Sequence, residues 1–349
     1  MEQPVEEAES ITARLLGHSA SLRPQDVSAD AGVPLSSARA FWHALGFPLV
    51  EDDEAVFTQA DARALKQATD LTSESGVEPA IALAMTRAFA RTTDRLAVWQ
   101  TQLMAEALTP PEQEAGLGEK DARTVTDRAI ALAAGERLAD LADAMEPLLV
   151  YAWRRHLVAA IDRMAADADP GAESAAGTPV RVIGFADLVN FTALVRRMTE
   201  RQLAVMVQRF EVLATDVITA HGGRVIKTVG DEVLFVHTEP SAAAAIALDL
   251  VEGMTEEELL PDVRVAMAYG PVLSRLGDVF GTTVNRASRM TAVTPPGKVW
   301  VDDALTRRLA STSGFAMRTT RRRNLRGIGA VTPSELSRAL GTRPREETS

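Results

Sequence analysis

The chain has 349 residues, of which 46% are apolar and 24% charged, a balance typical of a protein that buries a core. This composition excludes a disordered or fibrous chain, and the length favours two domains. The 37 basic and 48 acidic residues give a net charge of -11, which opposes general binding to nucleic acid or anionic membranes. Because the chain has no cysteine, it has no disulfide, thiolate nucleophile or cysteine-ligated zinc site.

Charge is distributed unevenly along the chain. Residues 1–178 contain 15 basic and 29 acidic residues, whereas residues 179–349 contain 22 and 19. The second half is therefore better suited to receive a phosphorylated ligand. No apolar stretch reaches the roughly 18 residues of a membrane span, and the acidic beginning lacks a signal-peptide pattern. We therefore expect a cytoplasmic protein without a membrane span.

The first half of the sequence has the apolar spacing of helices. This spacing predicts an all-helical domain over residues 1–145. A further helical run ends near Ala168 and is followed by a segment rich in Pro, Gly, Ser and Ala, residues 169–179. Residues 146–179 are accordingly predicted to be a connecting helix and a linker.

Residues 25–47 show the pattern of a helix-turn-helix, a motif whose second helix enters the major groove of DNA. Between residues 25 and 60, however, the basic side chains are Arg39 and the weakly basic His43, against six acids. Affinity for DNA depends strongly on basic contacts with phosphates. We therefore interpret this segment as a structural helical hairpin and expect no nucleic-acid partner.

The periodicity changes after the linker, where short β-branched runs alternate with helical stretches. A turn at Gly230-Asp231 separates two of the short strands. The elements follow the order βαββαβ: a strand at 180–189, a helix at 191–220, the hairpin strands around 230–231, a helix at 241–254 and a strand at 263–270.

This βαββαβ order is the ferredoxin-like pattern, so the second half is predicted to be an α+β domain over residues 180–340. The whole chain is then α+β, with an all-α domain preceding the ferredoxin-like one. The polar tail, residues 341–349, is predicted to be disordered.

Two aspartates stand at the ends of predicted strands. Asp187 lies near the end of the first apolar strand, and Asp231 lies in the hairpin turn. Taken singly, each is explained as a turn or cap residue. In the predicted topology this strand and this hairpin are neighbours, so the two carboxylates are expected to converge. A pair of this kind can hold Mg²⁺ or Mn²⁺ together with substrate phosphates.

Two further pairs of polar residues have chemistry suited to a nucleotide. Asn285 and Arg289 are four residues apart on one helical face, where both can reach one phosphate; the alternative is a solvated face. Lys227 and Asp278 are a donor and an acceptor that together match an adenine edge. Taken individually, each of these two is explained as a surface charge.

The segments FADLVNFT, KTVGDEVLF, GDVFGTTVNRASRM and NLRGIG follow one another between residues 180 and 330. In order and approximate spacing they resemble the catalytic domain of class III nucleotidyl cyclases, and the residue types are those of an adenylate cyclase. The resemblance implies carboxylates that bind two divalent metal ions (Mg²⁺ or Mn²⁺), an adenine-selecting pair, a pair stabilising the transition state and a basic triphosphate contact. The resemblance assigns Asp187 and Asp231 to the metal ions and Lys227 and Asp278 to adenine. It assigns Asn285 and Arg289 to the transition state and Arg326 to the triphosphate.

The resemblance also implies a reaction and an assembly. The ribose 3′-hydroxyl of ATP attacks the α-phosphate, which expels pyrophosphate and forms 3′,5′-cyclic AMP. Class III cyclases take the metal aspartates of a site from one catalytic domain and its other residues from a second. A chain with both sets is therefore expected to form a homodimer through this domain and to be inactive as a monomer.

The helical half is similar, less specifically, to the regulatory domains of certain actinobacterial cyclases, some of which respond to pH. Histidine is the side chain that titrates nearest neutral pH. As a pH-sensing group we favour His156, in the predicted connecting helix. The other candidates are His18, His43, His221 and His237.

Two other interpretations of the chain stay open at this point. The first is a guanylate cyclase or a cyclase of relaxed specificity. The second is a non-catalytic nucleotide-sensing module beside a DNA-binding amino-terminal domain. Residues 318–327, with five arginines, can be read as a nucleic-acid patch, although a solvated strand face explains them as well.

Overall fold

A computed structural model describes residues 11–48, 50–109, 120–169, 174–175 and 177–339. The chain divides into two compact units, residues 1–161 and 162–349. The predicted disordered tail, 341–349, and part of the predicted linker lie outside the described residues. In the described ranges, no helix carries an apolar stretch long enough to cross a membrane.

The first unit is helical, as the sequence predicts. Its core in the amino-terminal part is a small cluster around Trp42, whose ring stacks on Phe57 with centroids 4.2 Å apart. Residues 11–16 are helical. The other helices are α1 (Pro24–Asp30), α2 (Leu35–Leu45), α3 (Gln59–Ser75), α4 (Pro79–Leu108) and α5 (Lys120–Asp167), the last of which continues into the second unit.

The predicted helix-turn-helix segment forms α1 and α2. Pro24 occupies the first turn of α1, where its missing N–H costs nothing, and Gly46 ends α2 at a φ of 85°, a left-handed conformation that favours glycine. Val27 and Ala38 are fully buried in the Trp42 cluster. Both helices therefore contribute to the core of this unit.

The second unit has the predicted α+β architecture. Its helices are α6 (Phe191–Val195), α7 (Glu200–Ala220), α8 (Pro240–Glu256), α9 (Thr282–Thr291) and α10 (Asp303–Leu309). Its strands are β1 (Ser174–Ala175), β2 (Thr178–Leu188), β3 (Arg224–Val229), β4 (Glu232–His237), β5 (Val263–Pro271), β6 (Leu273–Arg275), β7 (Asp278–Phe280), β8 (Val299–Val301), β9 (Phe315–Thr319), β10 (Arg323–Leu325), β11 (Gly329–Val331) and β12 (Ser334–Arg338).

The main sheet has the strand order β3-β4-β2-β5-β8-β12-β9. The first four strands are in the ferredoxin-like order, and β2 pairs antiparallel with both β4 and β5. The sheet continues through β8, which runs parallel to β5, and then through β12 and β9. The pairs β6-β7 and β10-β11 form two separate hairpins.

Helices cover both faces of this sheet. Val182 and Ala186 of β2 join the larger cluster, formed with α7 and α8, whereas Ile183 and Phe185 join a second cluster that includes Ala287 of α9. Because successive strand residues point to opposite faces, a strand buried on both sides has to be apolar throughout. This explains why 180–189 reads as an almost unbroken apolar run.

Gly184 lies at the centre of β2, directly opposite Phe235 of β4. A Cβ built on Gly184 would stand 2.1 Å from Cζ of the Phe235 ring. The ring therefore occupies the space that a side chain would need. Glycine is required here for packing, not for a special backbone angle.

We expect Gly184→Ala to lower the free energy of unfolding by about 1–3 kcal/mol, because the added methyl group overpacks the sheet. Gly253→Ala in α8 is the matched control: its Cβ would meet Leu213 at 3.6 Å, an ordinary contact, and alanine is the better helix former. Urea unfolding of both variants measures the difference. Equal stability of Gly184→Ala and the wild type would contradict this packing.

Candidate active site

The strand register brings Asp187 and Asp231 together at one end of the sheet. Asp187 is the penultimate residue of β2, and Asp231 lies in the turn between β3 and β4. The backbone N–H of Leu188 donates to the carbonyl of Asp231 at 3.0 Å, which holds the turn against β2. The side chains of the two aspartates also interact with each other, so the structure brings the two carboxylates together as expected.

The carboxylates at this end of the sheet repel one another. Burial, and in addition the negative charge of Asp187, raise the pKa of Asp231 above its ordinary value. Burial, and to a smaller extent the charges of Asp187 and Asp231, likewise raise the pKa of Glu232. A concentration of negative charge of this kind favours the binding of a cation.

Arg264, which is not among the site residues predicted from the sequence, balances part of this charge. Its Nε donates to Oδ2 of Asp187 at 2.6 Å, and its Nη1 donates to the carbonyl of Ala292, just beyond α9. The side chain of Asp187 is only 14% exposed, so Arg264 is its main counter-charge. The signal in the sequence is one arginine within the apolar strand VRVAMAYG, which the predicted topology places next to the strand of Asp187.

The donor set at this point suits a hard divalent cation. Carboxylate oxygens are the ligands that Mg²⁺ and Mn²⁺ prefer, and two of them leave room for waters and phosphate oxygens. Among the described residues, no group of three or more His, Asp or Glu side chains is arranged to hold a metal ion. The residues present therefore fit a metal that takes its remaining ligands from solvent or substrate.

Lys227 and Asp278 are also brought together. Nζ of Lys227 lies 2.7 Å from Oδ2 of Asp278, and this hydrogen bond lowers the pKa of Asp278. Lys227 directly follows an irregularity in the pairing of β3 with β4, a feature that redirects side chains near functional sites. Asp278 begins β7, where its Oδ1 accepts from the N–H of Val279 at 2.8 Å. Both side chains remain partly exposed and accessible to a ligand.

Asn285 and Arg289 share an exposed face of α9, as their spacing predicts. Thr283, Ala287 and Met290 form the opposite, buried side of the helix. Within the described part of the chain, the side chains of Asn285 and Arg289 form no hydrogen bond or ion pair. These two groups are therefore available to a ligand or to another molecule.

Arg326 is exposed in the turn between β10 and β11. The preceding residue, Leu325, is buried in a cluster with Met290 of α9 and Trp300 of β8. This packing anchors the hairpin beside α9. Across the described residues, no hydrogen bond or ion pair links Arg326, Asn285 or Arg289 to the two aspartates.

The five histidines have different environments. His237 is buried: its Nδ1 accepts from the N–H of Glu239 at 2.8 Å, so its Nε2 carries the proton and faces the carbonyl of His221 at 3.0 Å. His221 in turn contacts Asp249 at 2.5 Å. His18, His43 and His156 are exposed.

Comparison with known proteins identifies the family. Residues 177–336 match the family model described as the adenylate and guanylate cyclase catalytic domain. An adenylate cyclase of Glutamicibacter nicotianae is 38% identical over 343 residues, which cover 95% of this chain and 82% of that protein. An adenylate cyclase of Streptomyces coelicolor is 36% identical, with coverage of 94% and 88%. The fold is that of the class III nucleotidyl cyclases. The chain belongs to the family of actinobacterial adenylate cyclases.

The likeness to some relatives includes the helical unit as well. A pH-sensitive adenylate cyclase of Mycobacterium tuberculosis is 30% identical over 313 residues, which cover 87% of this chain and 75% of that protein. Among solved structures, the catalytic core of a rhodopsin-guanylyl cyclase with converted specificity is 22% identical with a TM-score of 0.43, covering 46% of this chain and 98% of that chain. The adenylate cyclases of Glutamicibacter nicotianae, Streptomyces coelicolor and Mycobacterium tuberculosis named above match both units, not the cyclase domain alone.

We expect Arg264→Met to lower the free energy of unfolding by about 2 kcal/mol near pH 7, since a charge-assisted hydrogen bond is lost. Arg264 lowers the pKa values of Asp231 and Glu232, so its removal raises both further. When the pKa of an acid is raised by folding, the native state keeps a proton that the unfolded state releases, and stability falls as pH rises. The loss should therefore be smaller near pH 4.5 than near pH 7.

Chemical denaturation at the two pH values measures this difference. Arg209→Met is the control, because it removes an exposed ion pair with Glu257 whose contribution is about 0–1 kcal/mol. A loss of the same size for Arg264→Met at both pH values would mean that Arg264 does not balance these carboxylates.

Proposed function

We propose that this chain is an adenylate cyclase that converts ATP into 3′,5′-cyclic AMP and pyrophosphate. The observation that carries the proposal is the convergence of Asp187 and Asp231 in a chain whose relatives are named adenylate cyclases. In this proposal the two aspartates bind a pair of divalent ions, Mg²⁺ or Mn²⁺. When bound, these ions lower the pKa of the 3′-hydroxyl and neutralise the departing pyrophosphate. We place this ATP-dependent activity in the cytoplasm.

The pair formed by Lys227 and Asp278 selects adenine in this proposal. Adenine offers a ring-nitrogen acceptor beside an amino donor, which an ammonium donor and a carboxylate acceptor can read together. The 2.7 Å ion pair supports this role, because it holds both groups at one partly exposed point. Guanine has the opposite pattern, a ring N–H donor beside a carbonyl acceptor. The ammonium donor of Lys227 would therefore face a donor of GTP.

Asn285 and Arg289 orient and stabilise the phosphate under attack. The guanidinium of Arg289 supplies fixed positive charge as negative charge develops on the phosphate oxygens, and Asn285 supplies a neutral donor. Arg326 contacts the triphosphate. In this mechanism no side chain acts as a covalent nucleophile, and the chain accelerates the reaction by positioning and electrostatics.

We propose that the active form is a homodimer, in which one chain supplies Asp187 and Asp231 and its partner supplies the other site residues. Asn285 and Arg289 of α9 support this arrangement, because their side chains bond to no other described residue. The β6-β7 hairpin supports it too, because Leu273, Leu276 and Phe280 are exposed there. Leu276 is 79% exposed and has a φ of 53°, an unfavourable conformation for leucine. A second copy would cover this apolar hairpin. Asp278 belongs to the same hairpin, as the first residue of β7.

The helical unit regulates the cyclase in this proposal. Residues 1–145 form the regulatory domain, and residues 146–179 connect it to the catalytic domain over 180–340. Support comes from the relative named a pH-sensitive adenylate cyclase, which matches this chain over both units. His156 lies exposed on α5, the helix that runs from the first unit into the second. A change in its charge can bias two packings of a dimer.

The first experiment measures cyclic nucleotide formation by the whole chain with Mn²⁺ or Mg²⁺, with ATP and GTP supplied separately. We expect cyclic AMP from ATP and much less cyclic GMP from GTP. Asp231→Asn should lower the rate by at least about 1,000-fold, because it removes a metal-binding charge without changing side-chain size. Asp303→Asn, at an exposed carboxylate of α10, is the matched control and should stay active.

Other outcomes would point to the alternatives. Equal turnover of ATP and GTP would favour a cyclase of relaxed specificity. A folded dimer that makes neither product with either metal would contradict the enzyme assignment and favour a nucleotide-sensing module.

We expect His156→Ala to move the pH dependence of cyclic AMP formation between about pH 5.5 and pH 8, the range in which histidine titrates. His18→Ala removes another exposed histidine of the first unit and is the control. Rates are measured for the full chain across this range. A curve for His156→Ala that superimposes on the wild-type curve would remove His156 as the sensing group.

A further inference from the structure

A single ion pair ties the helix that carries Asn285 and Arg289 to a buried carboxylate beside the sheet. Nη1 of Arg286 donates to Oδ2 of Asp302 at 2.7 Å. The side chain of Asp302 is 1% exposed, whereas that of Arg286 is 33% exposed. A carboxylate buried to this extent needs a partner for its charge, and Arg286 is that partner.

Asp302 is held in place independently of Arg286. Its Oδ1 accepts from the backbone N–H of Leu305 at 2.9 Å, which caps α10, and from that of Tyr269 in β5 at 3.2 Å. Its own backbone N–H donates to the carbonyl of Met267 at 3.0 Å. Burial raises the pKa of Asp302, and the hydrogen bonds from Leu305 and Arg286 oppose that rise. Oδ2 of Asp302 is therefore a fixed acceptor. Arg286 can reach it only when α9 has the right rotation about its axis.

Arg286 lies between the two functional residues in the sequence but not on their face of the helix. It follows Asn285 by one residue, which is a rotation of about 100° around the helix axis. Two other contacts hold the ends of α9: Thr283 Oγ1 donates to the carbonyl of Pro271 at 2.9 Å, and Arg264 donates to that of Ala292. Within α9, Arg286 is the one side chain that forms an ion pair with a described residue.

We propose that Arg286 and Asp302 are positioning residues whose ion pair sets the rotation of α9 about its axis. This rotation aims Asn285 and Arg289 at the substrate bound by the partner subunit. The inference rests on the proposed function and deepens it. A buried ion pair suits this purpose because a guanidinium and a carboxylate attract each other in one geometry, whereas apolar contacts alone tolerate small rotations.

The expected effect is a loss of rate without a loss of substrate binding. A misplacement of the order of 1 Å can reduce a reaction rate by about 100-fold, so we expect kcat to fall by about that factor. The metal-binding aspartates and the adenine-selecting pair are untouched, so KM for ATP should stay within about twofold. General damage to the fold would change both parameters and the melting temperature.

The double variant Arg286→Met/Asp302→Asn removes the ion pair cleanly. Arg286→Met alone would leave a buried charge without a partner, but Asp302→Asn removes that charge and keeps an oxygen for Leu305 and Tyr269. We expect its melting temperature to remain near that of the wild type. Arg209→Met/Glu257→Gln is the matched control: it removes an exposed ion pair of 2.6 Å elsewhere in the same unit and should leave kcat unchanged.

Mixed dimers test whether the damage is confined to α9. Consider a dimer of one Asp231→Asn chain and one double-variant chain. At one of its two sites, the double-variant chain supplies intact aspartates and the Asp231→Asn chain supplies an intact α9. Mixing these two weakly active proteins should therefore restore cyclic AMP formation. The reference mixture, Asp231→Asn with Asn285→Ala, should restore it by the same route.

The outcomes separate this inference from the proposed function. A wild-type kcat in the double variant overturns the inference, and so does a failure to complement Asp231→Asn when the reference mixture succeeds. If the reference mixture also fails, the composite dimer site is wrong, and the split between kcat and KM decides the positioning role by itself.

If the double variant does not fold, Arg286→Lys is measured in its place, because lysine keeps the charge without the planar fork. A reduced kcat at unchanged KM then supports the inference, and an unchanged kcat overturns it.

Discussion

The register of β2 is the constraint on which both the sheet and the candidate site depend. Both faces of this strand are buried, so a shift of one residue would exchange the side chains packed on the two helical layers. Gly184 is the only residue of β2 without a Cβ, and the ring of Phe235 fills the space above it. The same register places Asp187 opposite Glu232 and Arg264. Packing in the core thus fixes the charges at the end of the strand.

Those charges make the end of the sheet less stable than a neutral surface would be. Burial and mutual repulsion raise the pKa values of Asp231 and Glu232, and Arg264 offsets only part of that repulsion. Functional sites commonly hold interactions that are unfavourable in the protein alone and become favourable with a ligand. In the proposed mechanism, divalent ions are the ligands that relieve this repulsion, and Asp187 is shared between them and Arg264.

The sequence predicts features that depend on local patterns and misses those that depend on distant pairing. The strand order follows from the apolar runs and from the turn at Gly230-Asp231, and the convergence of Asp187 with Asp231 follows from that order. Arg264 is marked only as a single arginine in an apolar strand, and its partner follows from the pairing of that strand with β2. Asp302 has no comparable signal, because it acquires Arg286 only after α9 has packed on the sheet. The functional roles of the individual site residues come from the family resemblance, since Lys227 or Asn285 taken alone reads as an ordinary surface residue.

Helix α9 divides its polar residues between two tasks. Arg286 is paired with a buried acid, and Thr283 is bonded to the backbone of Pro271, so these two side chains hold α9 against its own chain. Asn285 and Arg289, on the exposed face, make no such contact with the rest of the chain that the structure describes. Leu276 on the neighbouring hairpin exposes a large apolar side chain at a strained backbone position. A single chain gains no stability from either feature. In a dimer, a second copy would cover the exposed hairpin and bring its own aspartates to Asn285 and Arg289. Both features are then explained, and this is the physical argument for a site completed by dimerisation.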